Sequence, residues 1–554
     1  MLNRRWARLD FPLLTLLFVE LATLDLGLLV SPLDVASFPI HEEEPPFCAE
    51  KGWLDARVAD LQVGLDSEET NLSRVRPMAF IRCSRGGKTR VLLELNKTMR
   101  ALNPDVAVVY ISFNNFSSLE AWELRDPVAA LCRRIAFSAL RERVATSGGF
   151  DAFRNTKVME DDIIRWLGDA ACVLLIDELN VLELDEDGAP LVAAFLKKHF
   201  LIQPGRYFAF SSHVVPNGKG LADFMDSISE RGILIQQLPL IPSLSDARSK
   251  FRWPDLTVRQ ALFRGRVPAL ISYTRGSMPL PFDKRKAAIE EVAHDWRDTN
   301  VRELLSSFLS GDPARVPKPL LQLMSVSPVE GQGKITWIPY HMMHVLESIA
   351  DVAALSPMIR EVVQILRDMF HGFETGKVSG GDSWEALFVI STIARVATNH
   401  FCSLLPLDTV AFANCRVSYN YFWEQTHGGA SFPNITTIEQ LIEGLTLPPS
   451  YPHVAVFYPP HARFETYDLL VVAYQQADVR QVHGYQLKEG RIIPKKAANS
   501  LCQHSYVIRG FAAAREKLLR GWKVGSHEDI DQFLGVSGTC LAPKEWRSLD
   551  KESL

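Results

Sequence analysis

Arg82-Cys83-Ser84-Arg85-Gly86-Gly87-Lys88-Thr89 decides the first fold, because it stands between the apolar run PMAFIRC (77–83) and the helical pattern TRVLLELNKTMRAL (89–102). A strand, a glycine-bearing loop and a helix N-terminus in that order form a cradle for phosphate. Glycines let backbone N–H groups close on phosphate oxygens with no Cβ in the way, and the helix end adds partial positive charge. In such a cradle Lys88 reaches the β and γ phosphates of a nucleoside triphosphate, and the Thr89 hydroxyl is placed to hold Mg²⁺. The loop is a variant, since Arg82 stands where G-x-x-x-x-G-K-[ST] has its first glycine.

Gly-Lys-Thr alone also opens ordinary surface helices, so a second element has to decide. Cys172-Val173-Leu174-Leu175-Ile176-Asp177-Glu178 is a buried-strand pattern ending in two carboxylates, and parallel sheets gather their ligands at the carboxyl ends of strands. There Asp177 would hold Mg²⁺ through water, and Glu178 would orient or deprotonate the attacking water. The runs VAVVYISF (106–113), RYFAFSS (206–212) and ILIQQLPL (233–240) are short, β-branched or aromatic and apolar on successive residues, as strands covered on both faces are. They predict a parallel sheet in an α/β layer architecture over residues 49–240. Ser211, Ser212 and His213 at one strand tip are candidates for sensing the γ phosphate. The expected nucleotide-binding residues are Arg85, Gly86, Gly87, Lys88, Thr89, Arg90 and Ser212, with ATP and Mg²⁺ as the ligands.

From 241 to 375 helical periodicity takes over, in VRQALFRGRVPALISY and IPYHMMHVLESIADVAALS, and reads as a helical appendage to the first unit. Arg264, Arg266 and Arg275 are candidates to stabilise charge developing on a phosphoryl group. His341 and His344 share a helical spacing, but without an H-E-x-x-H pattern or a third ligand they read as core or surface histidines.

A second α/β unit is expected over 376–540. The loop KVSGGD (377–382) leads into a helix, WEALFVISTIARVATNHF, then strand-like HVAVFY (453–458), YDLLVVAY (467–474) and VHGYQLK (482–488), and a final helix over 497–519. Alternation puts residues 486 and 488 on one strand face. A hairpin would then converge Asp468, Gln486 and Lys488 on one site. A carboxylate and an amide oxygen suit Mg²⁺, and a lysine steadies a nucleophilic water and a pentavalent phosphorus, which is the chemistry of phosphodiester cleavage. Glu385, in the first turn of the preceding helix, adds a further carboxylate. The metal-directed residues are thus Thr89 and Asp177 in the first unit and Asp468 and Gln486 in the second.

The chain of 554 residues is long enough for two or three domains, and its 47% hydrophobic and 23% charged composition excludes a disordered or fibrous protein. A net charge of −5 exerts no global pull on nucleic acid, so any such site must be a local patch. Lys284-Arg285-Lys286 and Lys495-Lys496 serve as well for solvated faces as for phosphate contacts or nuclear addresses. The eight cysteines carry no CxxC pair and read as free thiols of a reducing compartment. Residues 11–30, FPLLTLLFVELATLDLGLLV, imitate a signal or anchor after the basic start MLNRRWAR. Glu20 and Asp25 interrupt them, and Asp costs about 2.5 to 3.5 kcal/mol at the centre of a spanning helix. A buried or partner-facing helix is expected rather than a stable membrane insertion, and HEEEPPF (41–47) reads as a linker that closes a segment of unknown role at 1–48.

Taken together, these residues resemble the Crinkler and retrotransposon hot spot (RHS) group, in which a P-loop ATPase related to the AAA+ and STAND classes is fused to a nuclease of the restriction-endonuclease superfamily. The resemblance rests on RCSRGGKTR (82–90), VVYISFNN (108–115), VLLIDELN (173–180), FAFSSH (208–213), LFRGRVPALI (262–271), GGDSWEALF, YDLLVV and YQLKEG, and spans about residues 50 to 530. It implies an ATP-controlled, Mg²⁺-dependent endonuclease acting on DNA, with Glu178, Glu385, Asp468, Gln486 and Lys488 as its catalytic residues and a Gln-x-Lys variant of the nuclease signature. The alternative is a regulatory NTPase switch whose second domain binds nucleic acid or protein without cutting. The resemblance further implies residence in nucleus or cytoplasm, and leaves homo-oligomerisation and delivery to a host cell open. Residues 1–48 match no Crinkler header.

Overall fold

The computed structural model describes residues 23–535, apart from 39, 41–45, 71–72, 84–85, 114–116, 118, 121–122, 142–146, 185–187, 213–231, 276–283, 327–334, 376–382, 414, 421–436, 444–451, 458–466, 477–478, 489–496 and 510–519. The continuous apolar runs become a five-stranded, wholly parallel sheet: β1 (Met78–Ile81), β2 (Ala107–Ser112), β3 (Cys172–Asp177), β4 (Arg206–Ser212) and β5 (Leu234–Gln236), in the order β2-β3-β4-β1-β5. Every residue of the first four strands is buried, which is why these stretches are apolar on both faces. Helices α1 (Trp53–Asp66), α2 (Lys88–Leu102) and α3 (Pro127–Ser138) pack against the sheet. Parallel pairing brings the carboxyl ends of β1, β3 and β4 to one edge, where Ile81 pairs with Ser212 and Ser112 with Asp177.

The tail of the segment read as a helix departs from that expectation. Leu26–Leu28 and Pro32–Asp34 are single 3₁₀ turns. The Asp25 side chain accepts from Gly27 N at 2.9 Å, and Pro32 opens the second turn, so local side-chain competition and proline win over helix propagation. The backbone is used instead for docking on the first unit. Leu24 N donates to Lys157 O at 3.2 Å, Val30 N to Ala139 O at 2.9 Å, and Phe38 meets the Tyr110 ring edge-on at 5.1 Å. Among the described residues no helix is long and apolar enough to cross a membrane.

The stretch 241–375 is helical as expected, with α4 (Val258–Phe263), α5 (Asp298–Ser310), α6 (Pro339–Ala350) and α7 (Pro357–Thr375). It also holds a small antiparallel hairpin, β6 (Met324–Val326) with β7 (Ile335–Trp337), that periodicity did not reveal. Three-residue strands are too short to show a period of two. Helix α7 reaches both neighbours: Glu374 pairs with Arg264 at 3.5 Å beside α4, and Glu361 with Arg416 at 3.1 Å on β8 (Arg416–Asn420).

The second unit is a six-stranded mixed sheet in the order β13-β12-β11-β10-β9-β8. Strands β9 (His453–Phe457), β10 (Leu469–Gln476) and β11 (Val479–Lys488) form an antiparallel meander, of which the β10–β11 hairpin was expected. The expected final helix is corrected: its middle is strand β12 (His504–Arg509), parallel to β11 and followed by β13 (Trp522–Val524) and helix α9 (His527–Leu534). HSYVIR is aromatic and β-branched, and its register places Tyr506 and Ile508 in one cluster and Val507 in another, a period of two that the alanine-rich flank masks. Helix α8 (Ser383–Thr398) covers the Tyr485 face of this sheet, with Phe388 on Tyr485 at 5.5 Å and on Phe533 at 4.2 Å. That face, the helices 284–398 and the first sheet share one continuous buried cluster.

Candidate functional site

The first site forms where β1 and β3 end. Lys88 is buried, and its Nζ donates to the carbonyls of Arg82 (3.1 Å) and Cys83 (3.0 Å), so the ammonium is held over the loop it serves. Gly87 has φ +85°, a left-handed conformation that favours glycine at the helix N-cap. Gly86 N donates to Cys83 O at 2.9 Å, closing the turn. Ser84 and Arg85 lie outside the described residues. Arg90 reaches Glu94 through Nε (3.0 Å) and Nη2 (2.6 Å), one helical turn on, and lines the cleft beside the loop.

Asp177 is the hub. It is fully buried, and its Oδ2 accepts from the Thr89 hydroxyl at 2.8 Å, Tyr110 at 3.3 Å and Ser112 at 3.4 Å. Its Oδ1 accepts from Ser211 Oγ at 2.7 Å, and the same oxygen of Ser211 accepts from Glu178 N at 2.9 Å. Burial raises the Asp177 pKa, with Glu178 adding to the rise, while Ser211, Thr89 and Lys88 oppose it. A buried carboxylate beside a helix-terminal hydroxyl is a hard oxygen set, which fits Mg²⁺. Glu178 is buried with φ +59°, a conformation that costs about 1 to 3 kcal/mol outside glycine and recurs at functional sites.

Strand register thus unites Lys88, Thr89, Asp177, Glu178 and Ser211. Ser212 is also buried; its carbonyl accepts from Arg82 N at 3.3 Å, and His213 lies outside the described residues. Arg264 is held inside the appendage, bonded to Gln260 O (3.1 Å), paired with Glu374 and stacked near Trp253 and Tyr340. Arg266 has φ +55° and is close enough to Arg82 to depress its pKa, whereas the Arg275 side chain is outside the described set. His344 pairs with Glu347 at 2.7 Å and His341 is buried beside Tyr340; among the described residues no cluster of His, Cys, Asp and Glu is arranged to hold a metal. Sequence reasoning missed Tyr110 and Ser112, which meet Asp177 only through β2–β3 register, and a small cleft lined by Phe47, Cys48, Gly87, Val91, Pro239 and Pro268.

The second candidate site lies on the β10–β11 pair. Asp468 immediately precedes β10; its N–H donates to Tyr485 O and its Oδ2 accepts from Leu487 N, both at 2.8 Å. Leu469 pairs with Tyr485, so the antiparallel register sets Asp468 opposite Gln486. Gln486 is buried, and its Oε1 accepts no hydrogen bond among the described residues. Lys488 ends β11 two residues on, at the register position that shares the Gln486 face; its side chain lies outside the described set. Glu385 lies in the first turn of α8, with its side chain likewise outside that set. Helix α8 packs through Phe388 on Tyr485, the face opposite Gln486.

No protein-family model matches the chain, and no curated protein sequence matches it. Among solved structures it is similar to the ORC2 protein of Aeropyrum pernix in ADPNP and ADP complexes, at 10% identity over 62% of this chain and 98% of that one, with a TM-score of 0.28. It is similar to AMPPCP-bound DnaA from Aquifex aeolicus at 13% identity over 65% and 99%, TM-score 0.26. The Aeropyrum pernix ORC1 protein in complex with DNA gives 12% identity over 49% and 74%, TM-score 0.25. Likeness at this level supports no inference about this chain, whose site stands on its own geometry.

Proposed function

We propose that the chain is an ATP-controlled, Mg²⁺-dependent DNA endonuclease of the Crinkler/RHS type, in which the parallel-sheet unit hydrolyses ATP and the mixed-sheet unit cuts. The observation that carries the first half is the 2.8 Å bond between Thr89 Oγ1 and Asp177, with Lys88 held over the same loop. Thr89 and Asp177 would hold Mg²⁺, which would supply the positive charge that phosphoryl transfer requires. Lys88 exchanges its two loop carbonyls for phosphate oxygens. Glu178 is the base or orienting group for water, Ser211 holds Asp177 in place and opposes the rise in its pKa, and the cleft between Phe47 and Pro268 flanks the loop.

The cutting half is supported by the register that sets Asp468 opposite Gln486 and by the unanswered Gln486 carbonyl oxygen, a buried acceptor that suits a hard cation. One observation favours the second reading, a nucleotide switch that holds DNA or protein without cutting: Asp468 is the one described carboxylate at this site, and it already accepts from Leu487 N. Plasmid cleavage with Mg²⁺, with and without ATP, decides between them. Wild type should nick and Asp468→Ala and Lys488→Ala should not. Equal nicking by all three would mean a contaminating nuclease, and no nicking with intact ATP turnover would establish the switch.

A further inference from the structure

Arg82 stands where the usual phosphate loop has its first glycine, and its side chain has a defined place. It is 3% exposed, and its guanidinium donates to Gly86 O (3.2 Å), Pro239 O (3.1 Å) and Leu238 O. All three acceptors are neutral backbone carbonyls. No carboxylate pairs with Arg82 among the described residues, and the cation nearby, Arg266, adds to the effect of burial in drawing its pKa down to about 10. A buried charge without a counter-ion is costly, and a binding site is where such a cost is answered by ligand.

We propose that Arg82 is a positioning residue for a polyphosphate, fixing the loop from beneath while its uncompensated charge awaits the ligand's phosphates. The proposal rests on the nucleotide reading above and adds a second buried cation to Lys88. Through Gly86 O the guanidinium polarises the Gly86–Gly87 peptide, which makes the Gly87 N–H a stronger donor to anions. Through Leu238 and Pro239 it ties the loop to the wall of the cleft, so the two halves of a nucleotide site are set by one side chain. Gly86 is the matching partner. A Cβ there would stand 2.6 Å from Arg82 Cγ and 2.7 Å from its Cδ, so the arginine occupies space that only glycine leaves.

The test is calorimetric titration of the full chain with inorganic tripolyphosphate and with MgATP, at several salt concentrations, for wild type, Lys88→Ala, Arg82→Met and Arg82→Lys, with circular dichroism to confirm folding. Arg82→Met should weaken tripolyphosphate by at least about tenfold, the loss expected for a hydrogen-bonded charge, and should flatten the salt dependence. Arg82→Lys should keep the wild-type salt dependence with an intermediate affinity. A folded Arg82→Met that binds tripolyphosphate like wild type, or weakens without a change in salt dependence, overturns the proposal. Should the methionine variant fail to fold, the lysine variant decides, and wild-type affinity in it overturns the proposal. If wild type and Lys88→Ala bind MgATP alike, the nucleotide reading itself fails, an outcome distinct from the others.

Discussion

Replacing Ser211 with alanine removes one hydroxyl that serves two buried partners, the Asp177 carboxylate at 2.7 Å and the Glu178 N–H at 2.9 Å. A bond to a charged group contributes about 1.5 to 3 kcal/mol, and an orphaned buried N–H costs about 1 to 3 kcal/mol more. Ser211→Ala should therefore lower unfolding free energy by about 2.5 to 6 kcal/mol, read from the guanidinium midpoint at constant slope. The same change removes the contact that most opposes the upward drift of the Asp177 pKa. Asp177 must be ionised to hold Mg²⁺, so the acid limb of ATP turnover should move to higher pH. Stopped ATP hydrolysis read from pH 5.5 to 9 measures this. An unchanged acid limb together with wild-type stability would refute the hub role of Asp177; destabilisation without a shifted limb would confine Ser211 to the fold.

Asp177→Asn should abolish Mg²⁺-dependent ATP turnover yet melt no lower than wild type at neutral pH. A carboxyl whose folded pKa is raised weakens the fold as pH climbs above its unfolded value near 3.9, and the amide is free of that penalty. Burial lowers His483 to about 3 and His453 to about 4 from 6.5. The unfolded chain then takes up more protons below pH 6.5, so stability is full above that pH and is lost as pH falls toward 4. At pH 5 the loss is about 2 kcal/mol per histidine, and His483→Phe should halve the slope in pH-dependent denaturation; a flat profile would contradict the burial. Gly484→Ala puts a Cβ 2.1 Å from Tyr467 Cε1, displacing a ring whose hydroxyl bonds Ser505 Oγ at 2.8 Å and accepts from Asn499 N at 2.9 Å. Overpacking of this kind costs about 1 to 3 kcal/mol, measurable as a lower melting temperature, and should slow plasmid cleavage by moving the neighbouring Asp468.

The parallel sheet was legible because β1 to β4 are buried on both faces and so spell out unbroken apolar runs, which lead to the Lys88 loop, to Asp177 and to Ser211. What escaped depends on register. Tyr110 and Ser112 alternate with apolar neighbours inside β2, and nothing local says that they meet Asp177 rather than solvent. Strand β12 escaped for the opposite reason: six residues of period two sit beside an alanine-rich stretch whose helical propensity dominates any longer window. Arg82 could be seen as a departure but not explained, since its acceptors at 238 and 239 lie more than a hundred and fifty positions away in the chain. In the second unit the order of Asp468 and Gln486 was readable, and their facing positions follow from the short β10–β11 connection.

The single apolar cluster running from the first sheet through α5, α7 and α8 to the Tyr485 face has a practical consequence for anyone dissecting the chain. A cut between Thr375 and Ser383 would strip α7 from β8 and both α5 and α7 from α8, so neither fragment is expected to survive as a monomer. The same buried side chains run from one sheet to the other, and heat should melt both together.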